Sequence, residues 1–171
     1  KEALTPILNL ELDGFVHCAG VFDIQSLKRT TYNRFLKLMN VNLFSFAEIL
    51  RLLVSAKPND KRFRVVSMSS VDSFRGDKTN HMYCASKAAM DSFIRAISLE
   101  LNPMNVEINT VQPSFVDTPM VDHLKLFHLD NFEEWIRTVQ PLGAIPREEV
   151  VEMIRFFLDK KGTKVTGTST F

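Results

Sequence analysis

The chain carries only 2 cysteines, 6 glycines, 1 tryptophan and 2 tyrosines in 171 residues. Two thiols, Cys18 and Cys84, cannot build a disulfide framework, so a reducing, cytoplasmic setting is expected. Cys84 as a free nucleophile would need a His or an acid beside it in a recognisable motif, and it has none. The 4 histidines, His17, His81, His123 and His128, lack H-E-x-x-H spacing, and there is no Cys pair, so no metal site is expected. A net charge of +1 offers no field for nucleic acid or for a membrane surface. The short basic clusters "DKRFR" and "LDKKGTK" read as solvated loop charges. No unbroken apolar run approaches the roughly 18 residues of a membrane span. The opening "KEALTPILNLELDG" turns polar too soon for a signal peptide.

What is present is ordinary for one globular domain with a real core: 45% hydrophobic and 24% charged residues. Short apolar, β-branched runs predict strands over 14–20 ("GFVHCAG"), 63–70 ("FRVVSMSS"), 106–113 ("VEINTVQP") and 164–171 ("KVTGTSTF"). Between them, apolar spacing at 3 and 4 predicts helices over about 31–53, over 82–101 and over 147–160. Strand and helix in alternation predict an open parallel α/β sheet. Ligands in such sheets bind at the carboxyl ends of the strands, here "HCAG", "SMSS", "VQPSFVDTPM" and "TSTF". The stretch 119–145 is long for a loop and rich in apolar residues, Leu126, Phe127 and Trp135 among them. It reads either as two short helices capping the core or as an apolar lid over a substrate.

The 82–101 segment raises the sharpest question. It contains no Gly or Pro, and its alanines and leucines favour helix. Tyr83 and Lys87 fall one turn apart on one face. A tyrosine with a pKa near 10 is a poor acid–base catalyst at neutral pH, and a nearby cation favours its phenolate. Bringing it near neutrality takes roughly 3 pH units, about 4 kcal/mol, more than one exposed ammonium supplies. By itself the pair is therefore weak evidence.

It does not stand by itself. "VHCAGV", "NVNLFS", "VVSMSS", Y-x-x-x-K, "VQPSFVDTPM", "PLGAIPREEVVEMIRFFL" and "KVTGTST" follow one another in a familiar order. From about residue 13 to the end the chain resembles the short-chain dehydrogenase/reductase family, of the type that includes 3-oxoacyl-carrier-protein reductases. The resemblance implies an α/β, Rossmann-like doubly wound parallel sheet lacking its first strands here, with 1–171 the C-terminal portion of a single domain. It implies an oxidoreductase that interconverts a carbonyl and an alcohol with NADP or NAD. Tyr83 would be the acid in reduction and the base in oxidation. Lys87 would lower the Tyr83 pKa and bond the nicotinamide ribose. Ser70, 13 residues before Tyr83, would hydrogen-bond the substrate oxygen. Asn42, 28 residues before Ser70, would hold a water that links Lys87 to solvent. Cys18, Ala19 and Gly20 would meet the adenosine ribose largely through backbone. Pro113, Val116 and Thr118 would lie at the nicotinamide end.

Three departures accompany the resemblance. "HCAG" stands where the family has N-N-A-G, so His17 replaces an Asn that braces the sheet. Ser114 replaces a Gly that lets the backbone approach the nicotinamide. The T-G-x-x-x-G-x-G turn that holds the pyrophosphate does not occur in this sequence, and with it goes the residue that separates NAD from NADP. Strand 14–20 would then form a bare edge. The expected substrate is a small carbonyl or alcohol with an apolar part: an acyl thioester, a steroid-like ketone or a sugar derivative. The resemblance also implies a homodimer or homotetramer paired through the long helix and the 82–101 helix. Two alternatives stand beside it. One is a non-catalytic binding or regulatory protein that has lost the pyrophosphate site. The other is an epimerase, isomerase or dehydratase of the same superfamily, which the compact C-terminal end disfavours.

Overall fold

The structure, a computed structural model, describes residues 5–8, 10–58, 60–121, 131–159 and 164–170. A short helix α1 (Thr5–Leu8) precedes strand β1 (Gly14–His17). Helix α2 (Tyr32–Met39) runs through a π turn (Asn40–Phe44) into α3 (Ser45–Ala56). Strand β2 (Phe63–Met68) leads through a 3-10 turn (Val71–Ser73) to α4 (His81–Leu101). Then come β3 (Val106–Val111), α5 (Phe132–Val139), α6 (Arg147–Leu158) and β4 (Ser169–Thr170).

The four strands are all parallel, in the order β1-β2-β3-β4. The expected α/β sheet is therefore present, and β1 is an edge strand, as the sequence implied. β2 and β3 are buried on both faces, which suits the centre of a parallel sheet, and they carry Arg64, Ser67, Asn109 and Thr110 inward as well as apolar residues. Alternate residues serve opposite layers. Phe63, Val65, Val106 and Ile108 pack under α3 and α4 with Phe46, Leu50, Met90 and Ile94. Val66 and Val111 face the other way, onto Phe157 of α6. That arrangement, helices on both faces, is the doubly wound one.

Helix α4 ends where Pro103 enters a 3-10 turn and Asn105 adopts a left-handed φ of 58°. The expected 31–53 helix extends from Tyr32 to Ala56. It has 25 residues, and an 18-residue window of it reaches a mean hydropathy of 1.4, so it is long and apolar enough to cross a membrane on those two criteria, which a search for an unbroken apolar run does not reveal. Its Phe46, Leu50 and Leu53 lie in the core, while Arg34, Lys37, Glu48 and Arg51 are exposed on the opposite side.

The strands are shorter than predicted, each central one by two residues at its carboxyl end, where the chain leaves the ladder for the crevice. The last is cut to Ser169–Thr170 for another reason. Over 165–168 side chains share the pairing with β3. The Gly167 amide still donates to the Ile108 carbonyl (2.7 Å) and the Thr110 amide to the Thr168 carbonyl (2.9 Å). Beside them Asn109 Nδ2 donates to the Val165 carbonyl (2.9 Å) and Asn109 Oδ1 accepts from the Thr168 amide (3.2 Å). Gly167 turns the chain there at φ 72°.

Candidate active site

The carboxyl ends of β1, β2 and β3 meet the first turns of α4. At the end of β1, His17 is buried while Cys18 and Ala19 are exposed and Gly20 is half-buried. A Cβ on Gly20 would lie 3.5 Å from Lys87 Nζ and 3.7 Å from Asn42 Oδ1, so the Gly20 backbone runs directly beside both. The π turn places Asn42, fully buried, beneath this segment. Its Oδ1 accepts from the Val21 amide (2.8 Å), and its Nδ2 donates to the Val21 carbonyl (2.9 Å) and to Ser86 Oγ (2.9 Å). Both amide hydrogens are thus committed within the protein.

Lys87 is 4% exposed, and its Nζ donates to the Met68 carbonyl at the end of β2 (2.7 Å). Two of its three hydrogens remain for another acceptor. Burial lowers its pKa to about 8, with Asp91 and then Cys18 opposing. Its ammonium sits 5.5 Å from the centroid of the Tyr83 ring. Ser70 Oγ accepts from the Asp72 amide (3.2 Å), and its hydroxyl lies close enough to the Tyr83 phenol to favour the phenolate. A hydroxyl that accepts from backbone still has a proton to donate.

The Tyr83 phenol is pushed up to about 12, chiefly by burial. The Ser70 hydroxyl opposes this, while Asp72 and Cys84 add to it. The Lys87 ammonium lies by the ring and donates to the Met68 carbonyl.

The remaining sequence candidates are held close by but apart. The Pro113 carbonyl accepts from the Val71 amide (3.2 Å), which ties the end of β3 to the Ser70 turn. Val116 pairs with Ile145 in an isolated bridge, and Thr118 Oγ1 donates to the Val116 carbonyl (3.2 Å). Neither Val116 nor Thr118 bonds Ser70, Tyr83 or Lys87. In the predicted lid, Val121, Phe132 and Ile136 form a small core with Phe115, Trp135 and Ala144. Its other apolar members, Leu124, Leu126, Phe127 and Leu129, lie outside the described residues. A cavity of about 460 Å3, lined in part by Asp117, Glu133, Arg137 and Arg147, opens beside α5 and includes none of Ser70, Tyr83 and Lys87. Burial pushes the Cys84 thiol up, away from a reactive thiolate. No cluster of three metal-ligating side chains occurs among the described residues.

Sequence reading missed Ser86, Gln112 and Asp91, three buried polar residues joined to this cluster by hydrogen bonds or charge. Their periodicity on α4 and at the end of β3 was the available signal.

A family model described as enoyl-(acyl carrier protein) reductase matches residues 9–171. The chain belongs to the short-chain dehydrogenase/reductase family. It is 28% identical over 158 residues to the 3-oxoacyl-[acyl-carrier-protein] reductase FabG of Chlamydia trachomatis, an alignment covering 91% of this chain and 62% of that protein. It is 30% identical to the NADP-dependent (R)-specific alcohol dehydrogenase of Lentilactobacillus kefiri, covering 100% of this chain and 66% of that one. It superposes with a TM-score of 0.83 on a 3-oxoacyl (acyl-carrier-protein) reductase from Agrobacterium tumefaciens C58 with NADP bound, at 27% identity, covering 99% of this chain and 64% of the other. A 4-hydroxyisoleucine dehydrogenase complexed with NADH shares the fold at a TM-score of 0.89 and 19% identity. The chain therefore spans 62% and 66% of the length of these two curated relatives. The Rossmann-like architecture implied by the sequence is that of the family.

Proposed function

We propose that the protein containing this chain is an oxidoreductase that interconverts a carbonyl and an alcohol by hydride transfer, with NADP or NAD as cofactor. The observation that carries this reading is the buried Lys87 ammonium 5.5 Å from the Tyr83 ring, with Ser70 beside the phenol, in a chain of this family.

The residues present fit the nicotinamide end of such a cofactor. Gly20 keeps side-chain bulk away from Lys87, whose two free N–H groups suit a pair of ribose hydroxyls. Cys18, Ala19 and Gly20 offer backbone, and Pro113, Val116 and Thr118 line the opposite strand end. The cofactor, when bound, supplies the hydride. Tyr83 keeps its proton at neutral pH, the state required of an acid that protonates a developing alkoxide. Ser70 holds its hydroxyl proton where that oxygen gains charge. Asn42 fixes the Val21 backbone and the α4 face that presents Tyr83 and Lys87. Its amide hydrogens are already used, so the water expected beside it would be held through an acceptor oxygen of Asn42.

The apolar cluster of Phe115, Val121, Phe132, Trp135 and Ile136 beside the end of β3 supports a substrate with an apolar part. Tyr32 (78% exposed) and Phe44 (47%) on the outer side of the long helix support self-association there.

The test is turnover by the full-length protein, with NADPH and with NADH, against a panel of apolar ketones and 3-oxoacyl thioesters. The wild type is expected to oxidise the reduced cofactor in step with product. Tyr83→Phe is expected to abolish turnover and leave cofactor affinity nearly intact. Substantial activity in that variant removes Tyr83 from the chemistry. Failure of the wild type to bind either cofactor brings the scaffold reading forward.

A further inference from the structure

Lys87 is a cation with almost no access to water, and such a charge is stable only beside a counter-charge. Four ionisable groups surround it. His17 and Cys18 stand at the end of β1, and Tyr83 and Asp91 lie one turn before and after it on α4. From β2 it meets the Met68 carbonyl, and from the π turn the Asn42 amide; neither ionises.

Three of the four carry no charge at neutral pH. His17 is held neutral, at about 4, by burial and by the Lys87 charge. Burial raises the Cys18 thiol and the Tyr83 phenol, so both keep their protons. Asp91 is the buried carboxyl of the set. It is 3% exposed, its position four residues after Lys87 puts it on the same helical face, and it raises the Lys87 pKa from beyond ion-pair distance.

The carboxylate is fixed from one side only. Gln112, the residue after β3, donates from Nε2 to Asp91 Oδ2 (2.6 Å) and to Ser73 Oγ (2.7 Å). Gln112 is itself 4% exposed. The other oxygen, Asp91 Oδ1, is buried and has no hydrogen-bond partner among the described residues. A buried carboxylate oxygen without a hydrogen bond is uncommon and costs free energy unless a nearby charge offsets it.

We propose that Asp91, oriented by Gln112, is a positioning residue for the reaction: the permanent counter-charge that keeps Lys87 an ammonium. This rests on the reading of Lys87 as the cation that faces the cofactor and Tyr83. It also connects the Ser70 turn to Lys87, because Ser73 and Asp91 share the Gln112 amide.

The experiment is a pH titration of Lys87 by 13C NMR in full-length protein labelled at lysine Cε, compared with Asp91→Asn and Gln112→Met. In Asp91→Asn the Lys87 midpoint is expected to fall by about 1 pH unit. The alkaline limb of kcat/KM is expected to fall by the same amount. Gln112→Met retains the charge but frees it, and a smaller fall in the same direction is expected. A midpoint that stays put in the folded variants overturns the proposal. If Asp91→Asn does not fold, Gln112→Met decides by the same measurement. Wild-type turnover with an unmoved midpoint overturns this inference alone. A shifted midpoint in a protein that binds no nicotinamide overturns the reductase reading and leaves the Lys87–Asp91 coupling standing.

Discussion

Asn42 grips Val21 by both of its backbone groups, accepting from its amide at 2.8 Å and donating to its carbonyl at 2.9 Å. A side chain thereby makes the two bonds that a neighbouring strand would make. Asn42→Leu keeps the volume and leaves the Val21 groups and Ser86 Oγ without these partners. A loss of roughly 1–3 kcal/mol is expected, tempered by water at half-open Val21. It should appear as a lower urea midpoint with an unchanged slope.

His17 makes acid stability sensitive to one residue. In the folded chain it titrates at about 4, against 6.5 when free. The folded state therefore binds fewer protons than the unfolded one between these values. The stability this group contributes is full above pH 6.5 and drains away as the pH falls towards 4. Up to about 3 kcal/mol is at stake. His17→Asn should flatten that part of the curve, and thermal melts of both proteins between neutral pH and 4 would show it.

Gly167 combines a φ of 72° with a Cβ direction that ends 2.5 Å from Ser98 Oγ. Gly167→Ala is expected to cost about 1–3 kcal/mol, part from the left-handed backbone and part from the collision. Ser98→Ala in the same chain should recover only the second part. A full recovery, measured by chemical denaturation, would show that the backbone angle costs nothing.

Gln140 clamps Phe115 by both backbone groups, accepting from its amide at 3.0 Å and donating to its carbonyl at 3.1 Å. Phe115 opens the segment that carries Val116 and Thr118. Gln140→Ala should weaken nicotinamide binding several-fold while the melting temperature moves little. Titration calorimetry on the full-length protein separates the two effects.

Much of the frame was legible. The predicted 82–101 helix is observed as His81–Leu101, because its Ala and Leu content and its apolar spacing agree. Strands β2 and β3 begin where the β-branched runs begin. That Tyr83 and Lys87 share one face of α4 was legible from helix spacing, whereas Ser70 came only from the family resemblance. The π turn was not, because a shift in hydrogen bonding over Asn40–Phe44 depends on what Asn42 must reach, not on local propensity. The last strand was overread because Gly167 turns the chain at a left-handed φ and Asn109 and Thr166 side chains bond among the remaining main-chain pairs. The burial that raises the Tyr83 phenol was not legible, because it depends on what packs over α4 and not on the neighbours of Tyr83 in sequence. Gln112 and Asp91 look like ordinary polar residues until β3 and α4 are brought together.

The π turn also restricts how this helix can change length. The Ser45 amide reaches back five residues to the Asn40 carbonyl, so one residue more than a regular helix needs is accommodated there. Deleting Val41 would restore regular bonding at the break and keep Tyr32–Met39 and Ser45–Ala56 near their present phase, so Leu38, 2% exposed, would stay inward. What it would displace is Asn42, whose side-chain bonds to Val21 and Ser86 start from the π turn. The turn thus works as a slip joint: the helix can lose a residue there and keep its two faces, but it cannot also keep the reach of Asn42.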